Sequence, residues 1–298
     1  MYDIIHLDSI KTYNEQYGLP IQHPLVTVVN VSNVKSPFTH AKINYGLYAL
    51  FLKHGVGCTI HYGRQSYDYQ EGSVVSFAPG QTVLVDVAPD SKSSFQGLLF
   101  HPDLIYGTSL GDKIRQYTFF SYSQTEALHL SESEQDIIKS CMDGIQSELE
   151  HPVDHHSRNL LCTRIELLLD YCMRFYDRQF CTRAKVNSNV LQKFELELSD
   201  YLDGGRTQQF GLPSVKYFAD KVCLSPSYFG DLVKKETGKT AQEYIQLKII
   251  DRSKQILLGS EMTVSQVADT LGFQYPQHFI RMFKKQTGYT PKEFRVMN

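Results

Sequence analysis

Two stretches near the carboxyl end of the chain follow one pattern: VKYFADKVCLSPSYFGDLVKKETGKTAQEY at residues 215–244 and VSQVADTLGFQYPQHFIRMFKKQTGYTPKEF at residues 264–294. Matching positions are 49 residues apart up to Leu271 and 50 residues apart from Phe279 onward, because one residue is added near Tyr275. Apolar, basic and glycine positions keep their order in both copies. Such a repeat indicates a supersecondary unit that occurs twice.

The first copy has the signals of two short helices joined by a tight turn. Ser214 is placed to cap the first helix, and Cys223-Leu224-Ser225 forms the turn. Ser225 caps the second helix, and Pro226 occupies its first position, where no N–H is needed. Gly238 is predicted to end that helix.

The second copy carries the same signals with different residues. Thr263 and Gln266 have the spacing of a capping box at the start of the first helix. Gly272 supplies the turn, Pro276 starts the second helix and Gly288 ends it. The sequence therefore predicts the same helix–turn–helix plan twice.

We predict helix-turn-helix units at residues 214–238 and 263–288, each with a second helix that can enter the major groove of double-stranded DNA. The alternative is an α-hairpin repeat that contacts proteins. Repeat proteins of that kind use three or more copies, and both second helices here are basic, so DNA binding is favoured.

Helices are also expected beside the two units. Apolar residues at helical spacing predict one helix from Ala241 to about Gly259, between the copies, and another that ends at Gly204-Gly205. The polar segment 182–189 ends in turn-forming residues and is predicted to be a linker. An all-α domain is therefore expected at residues 190–298.

Charge differs between the two parts of the chain. The 298 residues have a net charge of −2, but residues 190–298 hold 15 Lys and Arg against 12 Asp and Glu, a net charge of +3. The residues before them hold 15 against 20, a net charge of −5. The modest asymmetry suits a protein in which the carboxyl-terminal part alone meets phosphate.

The first part of the chain, to about residue 110, is predicted to be mostly β. Short β-branched or alternating runs are separated by turn residues, at 24–30, 45–52, 67–77 (turn at Glu71-Gly72), 82–87 and 96–100. This spacing is typical of a sandwich or barrel. With the helices that follow, the expected fold class is α+β.

Helical spacing begins near residue 131, where Ser131 is predicted to cap a helix. A second helix is expected after Pro152. It carries an apolar stripe, whose members are Leu161, Ile165, Leu168, Leu169, Cys172, Met173 and Tyr176. The stripe can be core or the seam of a dimer, and its pattern does not separate these alternatives.

The carboxyl-terminal part resembles the DNA-binding domain of AraC/XylS-type transcription regulators. The resemblance rests on residues 271–273 (LGF), 279–288 (FIRMFKKQTG) and 290–295, and on LSPSYF at 224–229 in the first copy. For residues 1–181 it implies a cupin-like β-barrel with dimerising helices that senses a small-molecule effector. Partners implied are DNA, a second copy and RNA polymerase; activation and repression stay open.

Outward positions on the second helices are the expected DNA contacts, from the helical wheel and from the family alike. Those expected to face bases are Ser227, Gly230, Asp231, Gln277, Ile280 and Arg281. Those expected at phosphates are Tyr228, Lys234, Lys235, His278, Lys284 and Lys285. Arg281 can instead contact phosphate or an acid, the lysines can be merely solvated, and packing is favoured for Tyr228 and His278.

Other function classes lack their signatures. His54, His61 and His101 do not show the H-x-H-plus-glutamate grouping of a metal cupin, and no catalytic triad or phosphate loop is present. We therefore expect no enzyme activity, metal or cofactor. Six scattered cysteines and no apolar run of about 20 residues predict reduced thiols, no membrane span and a cytoplasmic location. The resemblance implies that this cytoplasm is bacterial.

Overall fold

A computed structural model describes residues 3–35, 37–38, 40–54, 59–62, 65–68, 72–86, 92–123, 126–182 and 184–297. The chain divides into an amino-terminal unit, Met1–Thr182, and a carboxyl-terminal unit, Arg183–Asn298. Strands lie in the first unit and the second is helical, which confirms the predicted α+β class.

The amino-terminal unit contains these strands: β1 Asp3–Leu7, β2 Val26–Lys35, β3 His40–Tyr45, β4 Tyr48–His54, β5 Thr59–Tyr62, β6 Gln65–Asp68, β7 Ser73–Phe77, β8 Thr82–Asp86, β9 Lys92–Phe100 and β10 Leu128–His129. They form a three-stranded sheet in the order β1-β3-β8, a five-stranded sheet in the order β10-β7-β4-β9-β2, and a two-stranded sheet of β5 and β6. β1 and β3 are parallel, and the other pairings are antiparallel.

The two larger sheets share one aromatic core. Tyr45 and Phe77 stack with ring centroids 5.1 Å apart, and Phe51 meets Phe95 edge-on at 5.4 Å. Residues from both sheets pack into this cluster, including Ile43 of the smaller sheet. Of the expected sandwich or cupin-like barrel, no closed barrel is shown by the described residues, whose strands form separate sheets.

Most predicted strands are present, with one interruption. The run 45–52 was expected as one strand, but β3 ends at Tyr45 and β4 begins at Tyr48. The chain turns at Gly46, where a Cβ atom would lie 2.8 Å from Asp8 Oδ1. This close approach requires glycine, and hydropathy alone did not reveal it.

The helices of this unit are α1 Ile10–Tyr17, α2 Pro102–Ile105, α3 Ser109–Lys113, α4 Glu132–Leu149 and α5 Ser157–Thr182. Ser131 caps α4 as predicted, in a capping box with Glu134. The apolar stripe on α5 is core of this unit: all its members are buried except Met173, which is half-buried. The Tyr176 hydroxyl donates to Glu126 O at 3.2 Å.

The carboxyl-terminal unit comprises α6 Ala184–Asp203, α7 Arg206–Phe210, α8 Val215–Lys221, α9 Pro226–Thr237, α10 Ala241–Gly259, α11 Val264–Thr270, α12 Pro276–Thr287 and α13 Pro291–Met297. Residues 184–189, expected in the linker 182–189, are therefore helical. No Gly or Pro interrupts 184–203, so α6 extends six residues ahead of its predicted apolar stripe. The short helix α7 was not predicted.

The next two observations concern membrane-spanning helices and metal sites in the described part of the chain. There, no helix is long and apolar enough to cross a membrane, and no three His, Cys, Asp or Glu side chains are placed to hold a metal ion. The side chains of His54 and His61 lie outside the described residues. His101 caps α2, where its Nδ1 accepts from Asp103 N at 3.1 Å.

Candidate nucleic-acid interface

The first helix-turn-helix copy consists of α8, a turn and α9. The Ser214 hydroxyl accepts from Tyr217 N to cap α8, and the Ser225 hydroxyl accepts from Tyr228 N at 3.2 Å to cap α9. Gly238 ends α9 in the left-handed conformation, with φ 72°. α9 therefore runs from Pro226 to Thr237, between a serine cap and a glycine cap.

The second copy consists of α11, a turn and α12. Thr263 and Gln266 form the predicted capping box at the start of α11. α12 begins at Pro276 and ends at Gly288, with φ 83°. Its N-cap residue, Tyr275, has no capping side chain, unlike Ser225 in the first copy.

The two copies agree in hydrogen bonding at the ends of their second helices. The Thr237 hydroxyl donates to Val233 O at 2.7 Å, and the Thr287 hydroxyl donates to Phe283 O at 2.8 Å. The same hydroxyls accept from the backbone N–H two residues later, at 3.2 Å in both copies. The sequence repeat is therefore also a repeat of local structure.

The turns of the two copies contain equivalent residues with positive φ. Gly272 has φ 83°, and Cys223, 49 positions earlier, has φ 60°. A Cβ atom on Gly272 would lie 2.7 Å from Gly211 C and from Thr207 O. Thr207 is buried, and its hydroxyl donates to Thr270 O at 2.7 Å, so α7 packs directly on the second turn.

The helices after each copy begin with matching caps. Glu243 accepts from Thr240 N at 2.9 Å, and Glu293 accepts from Thr290 N at 2.7 Å. These backbone hydrogen bonds, and the threonine hydroxyls, hold the pKa of both carboxyl groups below the usual value. α10 packs against both α9 and α12, and so connects the two second helices.

The residues expected at bases differ in exposure between the copies. In α12, Gln277 and Arg281 are exposed and Ile280 is half-buried against the domain core. In the first copy, Ser227, Gly230 and Asp231 are half-buried.

A Cβ on Gly230 would meet no atom within 4 Å, so its position on α9 faces open space. Gly230 nevertheless has no side chain with which to contact a base. The outer face of α12 consequently offers longer polar side chains than that of α9.

The residues expected at phosphates also differ. Lys234, Lys235, Lys284 and Lys285 are exposed in the last turns of α9 and α12. His278 is exposed as well, whereas Tyr228 has only 4% of its surface exposed. Burial of the Tyr228 side chain fits the packing alternative and argues against a phosphate contact.

Two side chains with structural consequences were not given roles from the sequence. Arg295 donates to Leu257 O at 2.9 Å and Met262 O at 2.7 Å, which ties α13 to the segment between α10 and α11. Tyr275 is 52% exposed and meets the His278 ring edge-on at 5.6 Å. In the sequence, only the residue added to the second copy near Tyr275 indicated that this position differs from the first copy.

Comparison with known families decides what the duplicated unit is. Residues 218–297 match the model of a family described as a helix-turn-helix domain. A segment of 99 residues is 34% identical to the arabinose operon regulatory protein of Escherichia coli (strain K12), over 33% of this chain and 32% of that protein. The carboxyl-terminal unit is an AraC-type helix-turn-helix domain.

Two further similar proteins are a curated regulator and a solved structure. The uncharacterized HTH-type transcriptional regulator YobQ of Bacillus subtilis (strain 168) is 34% identical over 159 residues, which are 53% of this chain and 58% of YobQ. The carboxyl-terminal domain of the response regulator yesN from Fusobacterium nucleatum is 29% identical over 36% of this chain and 98% of that structure, with a TM-score of 0.32. The chain spans less than two thirds of the first curated relatives, YesN, YobQ and AdaA of B. subtilis.

Proposed function

We propose that this protein is a sequence-specific DNA-binding transcription regulator. The observation that carries the proposal is a duplicated helix–turn–helix geometry within a segment that matches a helix-turn-helix family. In each copy the second helix begins at a proline and bears two lysines in its last turn. α9 and α12 enter successive major grooves of a duplex, about 34 Å apart.

In this mechanism the two helices contribute unequally to sequence recognition. Gln277 pairs with adenine and Arg281 with guanine, the pairings that match their hydrogen-bonding groups. On α9, Ser227 and Asp231 are shorter, and Gly230 offers no side chain. Asp231 accepts from a cytosine amino group or orients a neighbouring lysine. We infer that α12 reads more of the site than α9.

The amino-terminal unit is proposed to control DNA binding. By family resemblance it senses a small molecule, forms a homodimer and brings the DNA-binding domain to RNA polymerase. Relatives named as HTH-type transcriptional regulators support the regulatory part of this proposal. The place of action is then the bacterial cytoplasm.

The lysines in the last turns of α9 and α12 are expected to supply affinity without sequence information. Changing Lys234, Lys235, Lys284 and Lys285 to alanine should weaken binding to all sequences alike. Each lost phosphate contact makes the negative slope of log K against log salt concentration shallower by about 0.9, so the loss of four lysines makes it shallower by about 3.6. Gel shifts of genomic fragments over a salt series measure both quantities.

A matched control tests whether net charge alone explains the effect. Lys11 and Lys42 are exposed in the amino-terminal unit, and changing both to alanine should leave the salt slope unchanged. If the wild-type chain shows no steep salt dependence with any fragment, the duplicated unit serves in protein contacts and the proposal is wrong.

A further inference from the structure

A small polar cavity lies on the face of the five-stranded sheet that α4 covers. Its volume is about 260 Å³, at the small end of ligand pockets. Its polar lining comes from β2, β9, α4 and the segment before β2: Gln22, Thr27, Asn30, Gln96, Asp143 and Gln146. Gln96, Asn30 and Val28 lie on the face opposite the aromatic core, whereas Val29 in the lining belongs to that core, so the lining includes both faces of the edge strand β2.

Gln96 is an unusual residue for its position. It lies on β9, between β4 and β2, and faces Asn30 and Leu52 on the adjacent strands. Further along the same face, Leu98 and Leu50 are fully buried. Gln96 is only 6% exposed, and burial of an amide in apolar surroundings is costly unless its polar atoms find partners.

Hydrogen bonding fixes the orientation of the Gln96 amide. Its Nε2 donates to Asp143 Oδ1 at 2.9 Å, and an ionised carboxylate can only accept, so the nitrogen must face α4. Across the described part of the chain, nothing donates to the Gln96 carbonyl oxygen. Gln96 therefore offers a free acceptor at a cavity that it lines.

Charge limits what the cavity can bind. Asp143 lines it, and within the described ranges no Lys, Arg or His side chain pairs with this carboxylate. None of the lining residues is basic. Anions are thus disfavoured, whereas a cation that donates hydrogen bonds satisfies both Asp143 and the Gln96 carbonyl oxygen. Leu19 and Val28 provide apolar surface for a short carbon chain.

We propose that this cavity binds a small organic ammonium ion. The ammonium group donates to the free oxygen of Asp143 and to the Gln96 carbonyl oxygen, and its aliphatic part lies against Val28. This site is a candidate for the effector contact in the proposed function. Its test uses no DNA, so its failure would leave the DNA-binding proposal unaffected.

Isothermal titration of the full chain with ethanolamine, putrescine and agmatine, beside glycerol and succinate, tests the proposal. At least one amine should bind with one site per chain, and glycerol and succinate should not bind. Asp143 is exposed, so Asp143→Asn should weaken amine binding about 2- to 5-fold, as expected for the loss of a solvent-exposed ion pair. Gln96→Leu, which keeps the side chain's approximate size, should weaken it as well.

Asp136→Asn is the matched control, because Asp136 is exposed on the same helix and pairs with Lys139 at 3.9 Å, away from the cavity lining. This variant should bind amine like the wild type. The proposal is overturned if no amine binds, if succinate binds, or if Asp143→Asn binds as tightly as the wild type. The Gln96–Asp143 bond would then only attach α4 to the sheet.

Discussion

Gly272→Ala is expected to destabilise the AraC-type domain by about 2–5 kcal/mol. A residue with a Cβ in the left-handed conformation costs about 1–2 kcal/mol. The new methyl group would also lie 2.7 Å from the backbone of Gly211 and Thr207, and an overpacked site of this kind costs about 1–3 kcal/mol more. The variant should unfold at lower urea concentration and lose DNA affinity, since α12 depends on this turn.

The first copy supplies the control at the equivalent position. Cys223 already has a Cβ and a φ of 60°, and its side chain is exposed. Cys223→Ala should therefore change the free energy of unfolding by no more than about 0.5 kcal/mol. If Gly272→Ala and Cys223→Ala changed the free energy of unfolding equally, the close contact between α7 and the second turn would be contradicted.

The double variant Gln277→Ala/Arg281→Ala is expected to remove most of the sequence discrimination. Each bidentate contact to a base contributes about 1–3 kcal/mol, so the pair contributes about 2–6 kcal/mol, or at least roughly 30-fold in Kd. Fluorescence anisotropy with a duplex selected by the wild-type chain from a random library gives the Kd. A scrambled duplex measures the part of affinity that is independent of sequence.

The matching substitutions on α9 test the inferred inequality of the two helices. Ser227→Ala/Asp231→Ala should raise the Kd for the selected duplex less than about tenfold, because these side chains make fewer base contacts. A larger loss from the α9 pair than from the α12 pair would contradict the inference. Arg281→Lys separates the roles of Arg281: a base contact loses discrimination, whereas a phosphate contact keeps it.

Much of the carboxyl-terminal unit was predictable because its determinants are local. Ser225 with Pro226, and Thr263 with Gln266, act within one helical turn, so their spacing in the sequence carries their structural effect. Because the pattern occurs twice in the sequence, each copy supports the helices predicted for the other. Since these signals are local, the helices α9 and α11 begin next to the capping residues Ser225 and Thr263.

Features that depend on distant residues were missed. The sequence identifies Gly272 as a turn residue, but only the fold brings Gly211 and Thr207 against it. Arg295 similarly donates hydrogen bonds to the carbonyl oxygens of Leu257 and Met262, which lie more than 30 residues earlier in the sequence.

Sheet closure is also a long-range property. Alternating apolar residues predicted strands, but the pattern does not specify which strands pair, so it could not separate a sandwich from a barrel. The cavity at Gln96 has the same origin, because strand pairing and the packing of α4 bring Asn30 and Asp143 beside it.

Dimethyl sulfate protection of the selected duplex by the full chain tests most directly whether both second helices read DNA, because guanine N7 lies in the major groove. We expect two protected tracts on one face of the duplex, with centres about 34 Å, or 10–10.5 base pairs, apart. Gln277→Ala/Arg281→Ala should remove one tract. A single tract with the wild-type chain, or protection that ignores sequence, would contradict the proposal that α9 and α12 occupy successive grooves.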